Sequence, residues 1–147
     1  MYENIQLISS GDQVIFVQFG GEINPDINRQ VHDFDKSLHD KNINAVVDTI
    51  PGYKSLMIQY DPMQISTENL ETKLLEIKND SSEQIPRKKT IVNIPVLYQG
   101  KYAPDLEFVA KHNNLKTEEV IRIHSETEYL VYMIGFTPGF PYLGGLP

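Results

Sequence analysis

Four histidines and one C-terminal run of glycine, proline and aromatic residues are the groups in this chain whose types and spacing suit a binding or reacting site. The run is Gly135-Phe136-Thr137-Pro138-Gly139-Phe140-Pro141-Tyr142-Leu143-Gly144-Gly145-Leu146-Pro147, and it holds four of the chain's nine glycines and three of its nine prolines. Such a composition predicts an irregular loop with several special backbone angles, not a helix or a regular strand. Pro138-Gly139 is a turn signal. Glycine lets backbone approach a ligand closely, and the interleaved aromatics can either pack on the domain body or flank a flat ligand. A structural hairpin pinned by its aromatics and a pocket wall both fit. As a pocket wall, the lining residues are Gly135, Phe136, Pro138, Gly139, Phe140 and Tyr142. No Gly-Lys-Ser/Thr follows, so this is not a phosphate cradle, and it does not match the dinucleotide fingerprint.

Histidine is the usual acid–base candidate. His32 and His39 fall among polar residues of a first helix and read as solvent-exposed. His112 lies near a helix end, where it can meet terminal carbonyls. His124 precedes the strand that leads into the glycine-rich run, and reads either as a buried structural residue or as a ligand-binding wall. Asp105, at a helix start, suits dipole compensation and capping more than substrate binding. Glu118 and Glu119 are adjacent and point about 100° apart on a helix, so they are no paired-carboxylate site. No Ser-His-Asp order and no metal-ligand spacing emerges. With no cysteine in the chain, thiolate chemistry and disulfides are excluded.

The elements that must position these groups follow from periodicity. Asn4 to Ser9 and Val14 to Phe19 read as strands around the turn Ser10-Gly11-Asp12, with Ile15, Val17 and Phe19 on one face. Asn24-Pro25 gives an N-cap followed by proline at the first helical position. Ile27, Val31, Phe34 and Leu38 then recur at helical spacing. Asn44 to Ile50 and Ser55 to Tyr60 form a hairpin about Pro51-Gly52, with Leu56, Ile58 and Tyr60 on one face. Ser66 or Thr67 caps a second helix striped by Leu70, Leu74 and Ile77. The order β, β, α, β, β, α predicts an α+β fold, a ferredoxin-like sandwich of two helices on one face of an antiparallel sheet, over residues 1–79. Residues 80–89 read as a linker that carries Pro86 and Arg87-Lys88-Lys89. The pattern restarts in 90–147. Thr90 to Tyr98 is a β-rich run, with Pro95 at an edge or bulge. Pro104 opens a short helix with Leu106, Val109 and Ala110 on one side, Thr117 caps another, and Glu128 to Ile134 is a strand.

Composition narrows the class. The apolar fraction of 40% and charged fraction of 22% suit a globular protein with its own core. The net charge of −7 is uneven, −6 over residues 1–78 and −2 over 90–147, and is expected to repel nucleic acid and anionic membranes. No basic start leads into an apolar run and no stretch approaches a membrane span. A cytoplasmic location is the expectation.

The stretch Tyr132-Met133-Ile134-Gly135-Phe136-Thr137-Pro138-Gly139-Phe140-Pro141-Tyr142-Leu143-Gly144-Gly145-Leu146-Pro147 resembles the signature of the family of 5-oxoprolinase B subunits and Kip-type histidine-kinase inhibitors, the carboxyltransferase domain subdomain C/D. Ile94-Pro95-Val96-Leu97-Tyr98, Pro104-Asp105-Leu106 with Val109-Ala110, and Glu119-Val120-Ile121 with His124 before Tyr129-Leu130-Val131-Tyr132 are similar to its upstream elements. Ala103 stands where the family tends to have glycine. The N-terminal half agrees in layout only. The resemblance implies that 90–147 is the first part of a cyclophilin-like β-barrel, since family members usually continue well past the motif. It implies a subunit of an ATP-dependent 5-oxoprolinase that opens pyroglutamate to glutamate with an A subunit and a C subunit of related fold, the ATP being used by the assembled complex. The 135–145 loop would line a pocket for a small amide or carboxylate, and His124 occupies a family position. Alternatives within the resemblance are an inhibitor docking on a sporulation histidine kinase and a subunit associated with allophanate hydrolase or urea carboxylase.

Overall fold

The computed structural model describes residues 5–80 and 89–145. These divide into two compact units: 5–80 with 131–143, and 89–130 with 144–145. Most of the linker expected at 80–89, with Pro86, Arg87 and Lys88, lies outside the described residues.

In the first unit a four-stranded antiparallel sheet has the order β1-β2-β4-β3. Its strands are β1 (Gln6–Ser10), β2 (Val14–Gln18), β3 (Val46–Pro51) and β4 (Ser55–Tyr60). Alternation along β2 and β4 sends Ile15, Val17, Leu56, Ile58 and Tyr60 into the core, each at most 2% exposed. Two helices, α1 (Pro25–Asp40) and α2 (Thr67–Asp80), lay their apolar stripes against that face. From α1 come Val31, Phe34 and Leu38, and from α2 Leu70, Leu74 and Ile77. The Phe34 ring meets Phe19 edge-on at 5.4 Å between centroids. The mixed α+β class and the antiparallel sheet expected from the pattern are both present. Between Val46 and Asp48 the register slips by a bulge, which leaves Val47 63% exposed.

Local chemistry sets the helix starts. Asn24 is extended and its side chain accepts from the Asp26 amide at 2.7 Å, with Pro25 opening α1. Asn24→Ala should therefore cost about 1 kcal/mol, read from the urea midpoint at unchanged m-value. Ser66 accepts from the Asn69 amide at 3.3 Å ahead of α2, while the Thr67 and Tyr60 hydroxyls meet at 2.7 Å.

The second unit departs from the sequence pattern. Residues 89–98 form no strand, and Ile91, Val92, Ile94, Val96 and Leu97 are 54–74% exposed. A β-rich segment becomes a strand only when a partner takes up its amides and carbonyls, and Pro95 removes one donor. The helices α3 (Leu106–His112) and α4 (Thr117–Glu126) pack together. The cap of α4 is Lys116, whose amide donates to Glu119 at 2.8 Å, and not Thr117, which is already helical.

The strands β5 (Leu130–Ile134) and β6 (Pro141–Gly144) pair in a two-stranded sheet. The six residues between them are too few for a parallel crossover, so they form a hairpin. Pro141–Gly144 was expected to be loop. Proline at the first residue of a strand spares the ladder a donor it does not need, which lets β6 form. Although 90–147 reads as one stretch in the sequence, Val131–Leu143 groups with the first unit.

Candidate functional site

The hairpin is fixed to the first unit by two side chains one turn apart on α1. Asn28, 5% exposed, donates through Nδ2 to the carbonyls of Gly52 at 3.0 Å, Tyr53 at 3.3 Å and Tyr132 at 3.2 Å. Two amide protons serve three acceptors, so at least one is shared. His32 Nε2 lies 2.9 Å from the same Tyr132 oxygen, and since a carbonyl only accepts, Nε2 carries the proton. His32 is thus half-buried and bonded, where the sequence suggested solvent exposure. Its position one turn after Asn28 aims it at the hairpin. His39 is exposed as expected and sits 3.4 Å from Asp35.

Beyond that anchor runs a row of aromatic rings. Tyr132, buried at 5%, meets Tyr53 at 5.1 Å between centroids, and Tyr53 meets Tyr142 at 6.1 Å. Tyr142 then meets Phe140 at 5.4 Å, and Phe140 meets Phe136 at 6.1 Å. The row runs from a buried ring to Phe136, which is 89% exposed. The 135–140 loop bonds to itself: Gly135 N to Phe140 O at 3.1 Å, Thr137 N to Gly135 O at 2.7 Å, and Phe140 N to Thr137 O at 3.0 Å. Those three amides are used within the loop, and Pro138 has none to offer. Phe136 and Gly139 have left-handed backbones, φ 62° and 79°. A bulky residue such as Phe136 is strained there.

The structure therefore gathers Gly135, Phe136, Pro138, Gly139, Phe140 and Tyr142 on one hairpin. His124 belongs to the other unit, in the last turn of α4. Asp105 is exposed and its carboxylate makes no cap bond to α3. His112 stacks on Phe108 at 5.8 Å. Among the described residues no group of three or more histidines and carboxylates is placed to hold a metal, and no helix is long and apolar enough to cross a membrane. Asn28 and Tyr53 escaped the sequence reading, and His32 was read there only as exposed.

The model of the carboxyltransferase domain, subdomain C and D, matches residues 5–147, which includes the hairpin. The chain belongs to this family. It is 37% identical over 151 residues to the 5-oxoprolinase B subunit of Bacillus subtilis (strain 168), a match covering 96% of this chain and 63% of that protein. A conserved uncharacterized protein of Pyrococcus horikoshii is 40% identical with a TM-score of 0.51, over 97% of this chain and 65% of that one. TTHA0988 is 30% identical with a TM-score of 0.72, over 92% of this chain and 26% of that one. The chain thus spans less than two thirds of the length of each of these relatives.

In this carboxyltransferase-domain chain the loop supplies shape and apolar surface and no titratable group. Its exposed rings can contact a flat apolar or amide group. A Cβ added at Gly139 meets nothing within 4 Å, so only its left-handed angle penalises substitution. Gly139→Ala should destabilise by about 1–2 kcal/mol, measured by chemical denaturation with the Tyr142 environment followed by near-UV dichroism.

Proposed function

We propose that this chain serves as the B subunit of an ATP-dependent 5-oxoprolinase, which opens the lactam of pyroglutamate to glutamate with an A subunit and a C subunit of related fold. The observation that carries this reading is the 37% identity to a 5-oxoprolinase B subunit over 96% of the chain. The aromatic hairpin agrees with it. Pyroglutamate is a small flat ring with a carboxylate, and the edge-to-face Phe136–Phe140–Tyr142 row offers apolar ring surface that such a ring can contact, with Gly135 and Gly139 admitting close backbone approach. Amide hydrolysis of a stable lactam needs an activated carbonyl, and coupling to ATP supplies the driving force.

The nucleotide belongs to the assembled complex. The 135–140 loop uses the Gly135, Thr137 and Phe140 amides internally, and no Gly-Lys-Ser/Thr stands beside it. The hairpin residues are assigned to holding the ring and the reacting groups to the partners, while His124 is read, within its own unit, as a contact for a small amide or carboxylate ligand. In finer terms, residues 1–79 are read as a ferredoxin-like domain, 80–89 as a linker and 90–147 as the opening part of a cyclophilin-like barrel, acting in the cytoplasm. The β, β, α, β, β, α order supports the first of these, and the start of a second unit near residue 87 supports the position of the linker. The strandless, exposed 90–98 segment fits a barrel strand whose partner is supplied by additional chain or by another subunit.

Co-expression tests the assignment. The chain, tagged, should retain the C subunit through size-exclusion chromatography as a complex of defined ratio. Elution of the two as separate species would remove the subunit reading.

A further inference from the structure

The second unit holds a cluster that the hairpin does not use. His124 sits in the last turn of α4, between Tyr98 from the extended segment and Tyr129 just beyond the helix. The Tyr98 hydroxyl and His124 Nδ1 are in hydrogen-bond contact. The Tyr98 ring stands edge-on to the imidazole, 5.7 Å between centroids and 82° between planes. Tyr129 lies on it at 5.6 Å and 41°. Both tyrosines are half-buried and His124 is exposed.

A phenol donates more readily than it accepts, and an unprotonated imidazole nitrogen is a strong acceptor. With Tyr98 O–H donating to Nδ1, the neutral ring must carry its proton on Nε2, and the residue is exposed. Glu128, the carboxylate adjoining Tyr129, is engaged with Lys89 at 2.5 Å. Among the described residues no second and third ligand joins His124 into a metal site. An Nε2–H on an imidazole bonded by Tyr98 and flanked by the Tyr129 ring suits an oxygen acceptor, not a cation.

We propose that Tyr98 is a positioning residue that locks His124 as an Nε2–H donor for an oxygen of a small amide or carboxylate ligand. This rests on the reading of His124 as a ligand contact in the proposed function, and it adds the residue that sets its tautomer. The test is imidazole nitrogen NMR on the full chain, above the pH range where histidine titrates, with His124→Gln to assign the signal and sodium pyroglutamate as the probe. The expected wild-type spectrum has Nδ1 unprotonated and Nε2 protonated, and Nε2 moves on titration. Tyr98→Phe, which keeps the ring and should keep the fold by circular dichroism, relaxes the tautomer toward the mixture of free histidine. It weakens the pyroglutamate response about tenfold, the scale of one hydrogen bond. A proton on Nδ1, a tautomer unchanged in Tyr98→Phe, or a His124 signal unmoved by pyroglutamate would each overturn the assignment. A locked tautomer with a pyroglutamate response, in a complex that hydrolyses nothing, sinks the enzyme reading and supports this one. An active complex with Nδ1-protonated His124 does the reverse.

Discussion

Asn28→Asp is expected to release the β5–β6 hairpin and to cost about 3–5 kcal/mol, the scale of stranding a buried charge. The wild-type amide donates to the Gly52, Tyr53 and Tyr132 carbonyls from a site 5% exposed. The carboxylate has no proton to give them, so it faces three carbonyl oxygens at contact distance. It must then either move the hairpin or take up a proton. Asn28→Leu should cost less, about 1–3 kcal/mol, because it strands the acceptors without adding a charge. Hydrogen exchange separates this from general unfolding. Amides of Val131–Ile134 should lose protection in Asn28→Asp before those of β2 and β4 do. Equal loss in both places would show that Asn28 supports the whole unit and not the hairpin.

Phe34→Ala should bring an equally large loss of a different kind. Phe34 is fully buried beneath the sheet and packs edge-on with Phe19. Removing the ring forfeits its burial and leaves a cavity that Val31, Leu38 and the sheet cannot close, about 3–5 kcal/mol. Against the roughly 5–15 kcal/mol available to a domain, that is a large fraction of the total. Here protection should fall across β1–β4, α1 and α2 together, with the thermal midpoint dropping in step. A loss below about 1 kcal/mol would mean that the core repacks far more freely than its density suggests.

The two substitutions divide what the sequence made legible from what it did not. Phe34 was readable because Ile27, Val31, Phe34 and Leu38 fall on one helical stripe, and Ile15, Val17, Leu56, Ile58 and Tyr60 alternate along strands. Binary patterning reports burial, and burial dominates this half of the chain. Asn28 was not readable, because its importance comes from three carbonyls, one of them 104 residues away. Only the folded chain brings them together. Thr90–Tyr98 shows the opposite failure. Its β-branched residues carry strand propensity, but propensity describes a fit to a sheet, and among the described residues no strand pairs with it. The glycine- and proline-rich run was rightly read as a special loop at Gly135–Phe140, while β6 went unseen because proline was counted against a strand it can begin. Tyr98 and His124 are 26 residues apart, and nothing in their spacing announces a hydrogen bond.

The central claim is that this chain is a working part of a pyroglutamate-opening complex. Its most direct test is glutamate formation from pyroglutamate by the chain assembled with its A and C partners, followed with and without ATP. The account predicts glutamate only when ATP, both partners and this chain are all present, and a marked loss of activity when Phe136 and Phe140 are both replaced by alanine. Pyroglutamate opened at the same rate by the A and C partners alone would contradict it.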